Sequence, residues 1–288
     1  MIQVRDLRKE YAGHVAVESS TFDVEPGEVF GVVGPNGAGK TTTLKAIAGL
    51  VEPTEGEVRV AGGDPADAET RHAIGYLPEE SALYEEMTAL SYLRFFADLY
   101  GVPRDVADER IGDTLDRLEL DRRDVRTGDV SKGMKRKVAV ARSLVNDPDV
   151  LVYDEPASGL DPLTTNYVVE FVRELADDGK TVVFSAHNLY HVERVCDRVV
   201  IMNEGDVVAR GTLGEIRDEH GGVEYHVETT VEVDGAEAKN GTYRAVVETM
   251  DGVERLRDQA REGGGEVVDI RTREPSLEDI FLDVAEGA

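Results

Sequence analysis

Gly34–Thr41 reads GPNGAGKT and follows EVFGVV, Glu28–Val33, whose apolar and β-branched residues predict a buried strand. The next residues, TTTLKAIAGL, carry Leu44, Ile47 and Leu50 at helical spacing and predict a helix. A strand, a glycine-rich loop and a helix in this order are the context in which G-x-x-x-x-G-K-[ST] marks a phosphate-binding site. The alternative, an ordinary strand–turn–helix with a surface lysine, does not explain this match.

The chemistry of phosphate accounts for each residue type in this loop. Glycines let the backbone bend so that its N–H groups point at phosphate oxygens, and the helix N-terminus adds a positive dipole end. Lys40 supplies a cation for the β- and γ-phosphates, and the Thr41 hydroxyl is a Mg²⁺ ligand. The candidate nucleotide-binding residues here are Gly34, Pro35, Asn36, Gly37, Ala38, Gly39, Lys40, Thr41 and Thr42.

Two adjacent acids fit a metal ion and an attacking water. The apolar run Val150–Tyr153 ends at Asp154 and Glu155, and two carboxylates at a buried strand end are costly without a cation or a proton transfer. Asp154 fits as a Mg²⁺ partner and Glu155 as the base that activates water, with a solvated strand end as the alternative. The pair predicts nucleoside triphosphate hydrolysis, and the lack of an N-K-x-D motif weakens a GTPase interpretation.

Composition and charge narrow the class of protein. The 288 residues are 41% hydrophobic, which suits one or two globular domains. With 32 Lys+Arg against 59 Asp+Glu, the net charge of −27 repels nucleic acid and anionic lipid at long range. A surface rich in acids and poor in lysine resembles that of salt-adapted cytosolic proteins.

We expect an intracellular protein without a membrane span. The N-terminus, MIQVRDLRKEY, carries charges where a signal peptide needs an apolar run, and no stretch approaches about 18 consecutive apolar residues. The single cysteine, Cys196, excludes an intrachain disulfide and is expected to pack as a small apolar residue.

Strand and helix patterns alternate along most of the chain, which predicts a mainly parallel sheet covered by helices. Leu83–Leu120 is helical in pattern, with a break at Pro103. Around Gly221 and Gly222 the character changes: VEYHVETTVEV alternates as a half-buried antiparallel strand, DGAEAKNGT resembles a turn, and a strand, a helix and a strand follow. We therefore expect a separate small α+β domain over residues 216–288.

In their order along the chain, these motifs resemble the ATP-binding subunits of ATP-binding cassette (ABC) transporters, over roughly Ile2–Ile216. VSKGM, Val130–Met134, stands at the family's signature position, whose usual form is L-S-G-G-Q. SGLDP matches the loop that carries Asp161 across a dimer interface, and FSAHN places His187 where the family contacts the γ-phosphate. Tyr11 stands where the family has an adenine-stacking aromatic, although a tyrosine near a strand end is equally often packing.

The sequence departs from the family pattern at two motifs. Lys132 and Met134 replace the usual Gly and Gln of the signature, and Glu79 in GYLPEE replaces the Q-loop glutamine. A glutamate gives a metal ion a negatively charged ligand, but unlike glutamine it has no N–H to donate to water. The resemblance therefore implies Glu79 as a Mg²⁺ ligand, without the hydrogen bonding of a glutamine. Both departures, and the tail PSLEDIFL, Pro275–Leu282, resemble the branch that serves ABC-2-type drug or sodium exporters.

The resemblance implies an α/β fold with a P-loop NTPase (RecA-like) core. It places an ABC ATPase domain at residues 1–215, with an antiparallel β subdomain and a helical subdomain at about 80–135, and an accessory α+β domain at 216–288. It implies a head-to-tail homodimer with ATP between one chain's glycine loop and the other's signature. The residues that would act in trans are Ser131, Lys132, Gly133 and Met134.

Four of the six residues from Lys132 to Lys137 are basic, in an otherwise acidic chain. Cations in the first turns of a helix oppose its dipole, which fits a triphosphate docking near Lys132. We expect Lys135, Arg136 and Lys137 on the solvent face or in salt bridges. A nucleic-acid patch lacks the interleaved aromatic residues that stack bases, so we expect no nucleic-acid partner.

The function implied is an ATPase that powers export through separate membrane permease subunits, on the inner face of the cell membrane. ATP and Mg²⁺ are the cofactors, and Tyr84, Tyr92, Phe95, Phe96 and Tyr100 are expected partly to dock a permease and partly to pack. The alternative is a soluble ABC ATPase of translation or DNA repair. The single cassette and the short spacing from Thr41 to Asp154 disfavour it, and Glu155 disfavours a non-hydrolysing sensor.

Overall fold

The computed structural model describes residues 2–220, 222–239, 241–273 and 276–286 of the chain. The chain divides into two compact units, with the boundary between Thr212 and Leu213. The sequence predicts the second domain from residue 216, which lies inside the first helix of the second unit. Gly221, at the predicted change of character, and Pro275, in the C-terminal motif, lie outside the described residues.

The first unit alternates strands and helices. Its strands are β1 (Ile2–Tyr11), β2 (His14–Val24), β3 (Val29–Val33), β4 (Glu55–Val60), β5 (Ile74–Leu77), β6 (Val150–Tyr153), β7 (Thr181–Ala186), β8 (Arg198–Asn203) and β9 (Asp206–Gly211). Its helices are α1 (Lys40–Ile47), α2 (Ala68–His72), α3 (Ala89–Leu99), α4 (Arg104–Arg117), α5 (Lys132–Leu144), α6 (Pro162–Asp177) and α7 (Leu189–Val195).

These strands form one sheet in the order β4-β1-β2-β9-β8-β3-β7-β6-β5. β3 runs parallel to β7 and β8, and β6 runs parallel to β5 and β7, whereas β1 pairs antiparallel with β2 and β4. Every residue of β3, β6 and β7 is buried, as expected for parallel strands with helices on both faces. Their carboxyl ends share one edge, so the loops after β3, β6 and β7 meet there.

The helical part of the first unit is formed by α3, α4 and the beginning of α5. Thr88 and Ser91 form a capping box that starts α3. The break predicted at Pro103 is confirmed, since Pro103 is the N-cap of α4. Ile111 and Leu115 are buried one helical turn apart, so α4 turns an apolar stripe inward.

The helix after the glycine loop ends earlier than the sequence predicts. Leu44 and Ile47 are buried, but α1 stops at Ile47 and Leu50 is 54% exposed. Gly49 follows with φ 67°, and a Cβ there would overlap the carbonyl oxygen of Pro65. The chain turns at this glycine, so placing Leu50 on the buried helix face was wrong.

The second unit is an α+β arrangement. Its elements are α8 (Leu213–His220), β10 (Glu224–Thr229), β11 (Glu237–Lys239), β12 (Thr242–Val247), α9 (Met250–Glu262), β13 (Val267–Arg273) and α10 (Leu277–Glu286). The antiparallel sheet has the order β11-β12-β10-β13, and Val227, Ala245, Val253 and Leu256 share its core. The segment predicted as a turn also contains β11, because its backbone pairs with β12.

Candidate functional site

The loop after β3 enters α1 through glycines with left-handed backbone angles. Gly37 has φ 87°, and Gly39, the N-cap of α1, has φ 98°. A Cβ on Gly39 would lie 2.5 Å from the carbonyl oxygen of Ala16, so this position excludes a side chain. Because Gly39 offers no side chain to cap α1, the first N–H groups of the helix are available to an anion.

Lys40 brings a positive charge into this loop. Its side chain is buried, with the residue 6% exposed, and Nζ donates to the carbonyl oxygens of Gly34 at 2.8 Å and Pro35 at 3.1 Å. Nζ also lies 3.9 Å from Oε1 of Glu155. Burial lowers the pKa of Lys40, and the nearby carboxylates of Glu155, Asp154 and Glu79 oppose that shift. The structure thus holds a poorly solvated cation where phosphate would sit.

Asp154 follows β6 and faces the start of α1. Its Oδ1 accepts hydrogen bonds from Thr41 Oγ1 at 3.2 Å and from Ser185 Oγ at 2.7 Å. Ser185 Oγ also accepts from the backbone N–H of Glu155 at 2.9 Å. This buried serine of β7 orients both acids, and the sequence analysis missed it because a lone serine within an apolar strand carries no motif.

The carboxylate of Glu155 faces both Lys40 and His187. Its Oε2 lies 2.8 Å from Nδ1 of His187, and its Oε1 lies 3.9 Å from Nζ of Lys40. Glu155 has a left-handed backbone angle, φ 45°, which is uncommon for a residue with a side chain and is found at functional sites. The acid at the end of β6 and the histidine after β7 therefore meet, whereas the predicted contact of His187 with a γ-phosphate stays a prediction.

A cavity of about 520 Å³ unites most of these groups. It is lined by the loop residues Pro35 to Thr42 and by Glu79, Glu155, Ser158 and His187. Residues His14 and Ala16 of β2 also line it and were not predicted. We refer to this cavity as the nucleotide cleft.

Tyr11 lies beside the cleft lining rather than in it. It ends β1 opposite His14 in the hairpin, its ring is partly exposed, and Lys9 Nζ lies 5.0 Å from the ring centre. The residues that line the cleft from this hairpin are His14 and Ala16. Adenine stacking on Tyr11 stays a prediction.

The signature residues lie at the start of α5, outside the nucleotide cleft of their own chain. Ser131 is the N-cap, and its Oγ accepts the N–H of Met134 at 3.3 Å. Ser131 and Lys132 are exposed, and Gly133 packs near Thr164. Lys132 Nζ occupies the space beside Gly159 that a Cβ would need. The chain presents this helix end to solvent.

Asp161 caps the helix that follows the SGLDP loop. Its carboxylate accepts the N–H of Thr164 at 3.1 Å and the Thr164 hydroxyl at 2.6 Å. These hydrogen bonds lower the pKa of Asp161. The residue starts α6 and is not among those that line the nucleotide cleft.

The basic cluster of α5 does not behave as one group. Lys135 pairs with Glu85 at 3.6 Å, as predicted, and Lys137 Nζ lies 4.3 Å from the ring centre of Tyr167. Arg136 is only 7% exposed, and its guanidinium donates to backbone carbonyl oxygens. The expectation of a solvent-facing or salt-bridged Arg136 was wrong, because helical spacing turns this position inward.

The aromatic residues in and beside α3 both pack and face solvent. Tyr92 is 1% exposed, whereas Tyr84, Phe95 and Tyr100 are exposed. Tyr84 contacts Tyr92 and Phe95 edge to face, with ring centres 5.7 and 5.9 Å apart. The packing predicted for part of this set is confirmed, whereas docking of the exposed rings to a permease stays a prediction.

Comparisons with known proteins show the family to which the chain belongs. Residues 17–158 match the family model described as ABC transporter. The chain is 43% identical over 202 residues to the ABC transporter ATP-binding protein NatA of Bacillus subtilis (strain 168), covering 69% of this chain and 82% of that protein. It is 38% identical to a Nod factor export ATP-binding protein I of Burkholderia orbicola (strain AU 1054), covering 73% and 70%.

Solved structures show the same fold. The structure of an ATP-binding subunit of an ABC transporter superposes with a TM-score of 0.71 at 37% identity, covering 77% of this chain and 93% of that one. The dimeric, post-hydrolysis ATP-binding cassette MJ0796 bound to ADP and Pi gives a TM-score of 0.67 at 26% identity, covering 74% and 99%.

The glycine loop, the acids after β6 and these similarities define an α/β P-loop NTPase, which confirms the predicted fold class. The chain belongs to the ABC transporter family of ATP-binding proteins, and it is an ATP-binding subunit that hydrolyses ATP to drive transport. The relatives named above are transporter proteins, so the translation or repair alternative has no support from them. None of the helices in the described part of the chain has the length and apolar content needed to cross a bilayer.

Proposed function

We propose that the nucleotide cleft binds ATP with Mg²⁺ and that Glu155 activates the water that attacks the γ-phosphate. The observation that carries this proposal is the convergence of Lys40, Glu155 and His187 on one cleft beside an open helix N-terminus. Hydrolysis of a phosphoanhydride needs little covalent chemistry from a protein, so positioning and charge supply most of the rate acceleration.

Thr41 and Asp154 are the residues that would hold Mg²⁺. Their side-chain oxygens are 3.2 Å apart, and Mg²⁺ prefers oxygen ligands. In the described chain no three His, Cys, Asp or Glu side chains form a metal cluster, which suits an ion that completes its shell with phosphate oxygens and water. Glu79 lines the same cleft and is proposed as a further ligand. Bound Mg²⁺ supplies positive charge to the β- and γ-phosphates.

Glu155 is proposed as the base, with His187 and Lys40 as catalytic partners. In the structure, its two oxygens face Lys40 and His187. A bound triphosphate offers both groups negative oxygens, so Glu155 is then free to accept a proton from water. Asn36, Gly37 and the neighbouring loop residues contribute backbone N–H groups to the phosphates.

We further propose that the active form is a homodimer in which α5 of one chain completes the site of the other. Ser131 and Lys132 are exposed and are not among the residues that line their own cleft, so they are accessible to a partner's nucleotide. Asp161 is proposed to lie at this interface. The dimeric form of the structural relative MJ0796 is consistent with this assembly.

The subunit is proposed to power export through separate permease subunits at the inner face of the membrane. A relative named for Nod factor export and another named for linearmycin resistance support an exporter role. The exposed rings of Tyr84, Phe95 and Tyr100 are proposed to contact the permease. Residues 1–215 are proposed as the ATPase domain and residues 216–288 as an accessory domain.

Glu155→Gln tests the assigned base. The substitution keeps the shape of the side chain and removes its basicity, so we expect ATP hydrolysis to fall by about 10³-fold. ATP binding should persist, and light scattering after gel filtration with ATP and Mg²⁺ should detect a dimer. Glu119→Gln is the matched control, because Glu119 is an exposed glutamate with φ 49°. Unchanged hydrolysis in the Glu155 variant would show that another group is the base.

A further inference from the structure

Arg136 uses its whole guanidinium on the backbone of two loops. The group has five N–H donors. Nε donates to Pro156 O at 2.6 Å, Nη1 to Pro78 O at 2.8 Å and Glu79 O at 2.9 Å, and Nη2 to Asp154 O at 3.1 Å and Glu155 O at 2.8 Å. The donors are therefore all satisfied by carbonyl oxygens.

The environment of Arg136 is unusual for a cation. Among the described residues, no carboxylate forms an ion pair with its guanidinium, although the residue is almost fully buried. Burial lowers its pKa to about 10, against the attraction of Asp154, Tyr153 and Glu79, so it stays charged at pH 7. Burying an unpaired charge is costly. The five carbonyl oxygens are what offsets that cost, and the geometry they impose is correspondingly well defined.

The two loops that Arg136 joins carry two of the acids of the cleft. Pro78 and Glu79 follow β5, and Asp154 to Pro156 follow β6. Glu155 has its left-handed φ where Nη2 binds its carbonyl oxygen. A strained backbone conformation persists only when its surroundings fix it, and Arg136 is the side chain that binds the carbonyl oxygens on both sides of this residue.

We propose that Arg136 is a positioning residue for hydrolysis, which fixes the backbone of Glu155 and Glu79 to α5. The proposal rests on the function proposed for Glu155. Arg136 lies in the second turn of the helix whose N-cap is Ser131. A displacement of that helix end therefore displaces both loops, so the contact that α5 makes with a partner chain is communicated to the water-activating acid of its own chain.

Arg136→Lys separates charge from geometry, because lysine keeps the cation and loses the planar fork. We expect its kcat to fall about 100-fold, since small misplacement of a reacting group has effects of that size. The KM for ATP should stay within about threefold, because the glycine loop is untouched. Arg142→Lys is the matched control: Arg142 is on the same helix but donates to Tyr92 Oη and Tyr76 O.

The number of ATP molecules bound per chain distinguishes positioning from a loss of folding. A purely structural role would lower kcat and ATP stoichiometry in the same proportion, and that result, or a kcat equal to that of Arg142→Lys, would overturn the proposal. Glu155→Gln is measured alongside. If Glu155→Gln hydrolyses ATP normally, the proposed base fails, whereas a normal Arg136→Lys beside an inactive Glu155→Gln removes only the positioning role.

A measurement on the unsubstituted protein covers the case in which Arg136→Lys does not fold. Five hydrogen bonds hinder rotation about the Nε–Cζ bond, so nuclear magnetic resonance should resolve separate Nη proton signals for Arg136. These signals are assigned through bonds from the Arg136 backbone. A single averaged Nη signal, as exposed arginines give, would contradict the bonding on which the proposal depends.

Discussion

Two helices of the first unit begin at a lysine, and they differ in what surrounds it. α1 starts at Lys40 after Gly39, which provides no side-chain cap, and α5 starts at Lys132 after Ser131, which caps Met134. A cation at a helix N-terminus opposes the helix dipole in both places. Lys40 is buried among carbonyl oxygens and acids, whereas Lys132 is exposed.

The difference bears on the proposed division of the ATP site between two chains. The start of α1 is complete within one chain: its N–H groups and Lys40 share the nucleotide cleft with Glu155 and His187. The start of α5 satisfies part of its own hydrogen bonding and presents Lys132 outward. One helix start that lines the cleft of its own chain and one that does not are consistent with the proposed site shared between two copies.

The largest difference between the two lysines should appear in Lys40→Ala. Removing the buried cation should lower kcat/KM for ATP by about 10³-fold, the size of effect seen when a charge-stabilising donor is lost from a site. ATP binding by the isolated chain should weaken as well, because Lys40 lies in that chain's own cleft. Calorimetric titration with ATP and Mg²⁺ and a phosphate-release assay measure both quantities.

Lys132→Ala is the control for that experiment. Its ATP affinity should match that of the unsubstituted chain within about threefold, because Lys132 does not line the cleft. Equal losses of ATP affinity in the two variants would remove the distinction between the two helix ends.

Much of the α1 end of the site was predictable, because its residues form a contiguous motif. In GPNGAGKT and in the acids after Val150–Tyr153, the residue types and their order indicate the chemistry. The parallel strands bring the loops that follow them together. His187 lies on the loop after β7 and contacts Glu155 there. Local sequence sufficed here because each functional residue lies in the segment that follows a buried strand.

The remainder depends on contacts between segments distant in sequence. Arg136 binds carbonyl oxygens of residues near 78 and 155, and the sequence around Arg136 contains no pattern that predicts these distant contacts. Ser185 is a small polar residue in an apolar strand and gains its role only from the acids beside it. Leu50 fits the helical period, but the chain turns out of the helix before it, at Gly49, which lies against the backbone of Pro65.

Mixing variants tests whether the α5 end acts in trans. Lys132→Ala alone should lose about tenfold in kcat, equivalent to about 1.4 kcal/mol. We then consider a mixed dimer of one Lys40→Ala chain and one Lys132→Ala chain, in which each site takes Lys40 from one chain and Lys132 from the other. One site carries both substitutions, and the other has an intact Lys40 and an intact Lys132. Equal mixing makes half the dimers mixed, each with one intact site, so about a quarter of the unsubstituted rate should return.

If Lys132 acts in the site of its own chain, the mixed preparation should have a different rate of ATP hydrolysis. The mixed preparation would then show only the average of the two variants, about a twentieth of the unsubstituted rate if Lys132→Ala retains about a tenth. Separately tagged chains, purified through both tags in sequence, confirm that mixed dimers are present when the rate is read.

The smallest effect should be the pH dependence of ATP affinity. Burial lowers the pKa of Lys40 below its ordinary 10.5. The attraction for phosphate is present while Lys40 is protonated, so ATP affinity should begin to fall, as pH rises, at a lower pH than 10.5. Lys40→Met should remove this alkaline decline, and Lys132→Met should retain it.

The free energy of unfolding should also depend on the protonation of Lys40, but it should change with pH in the direction opposite to ATP affinity. Because the folded state favours the neutral form of Lys40, the unfolded chain binds more protons between the folded pKa and 10.5. The contribution of Lys40 to the free energy of unfolding therefore rises with pH across that window, while ATP affinity falls. Denaturant unfolding of the unsubstituted protein and of Lys40→Met, compared pH by pH, isolates this contribution. A decline in affinity that Lys40→Met shares would assign it to another group and remove the buried lysine as the source of the asymmetry.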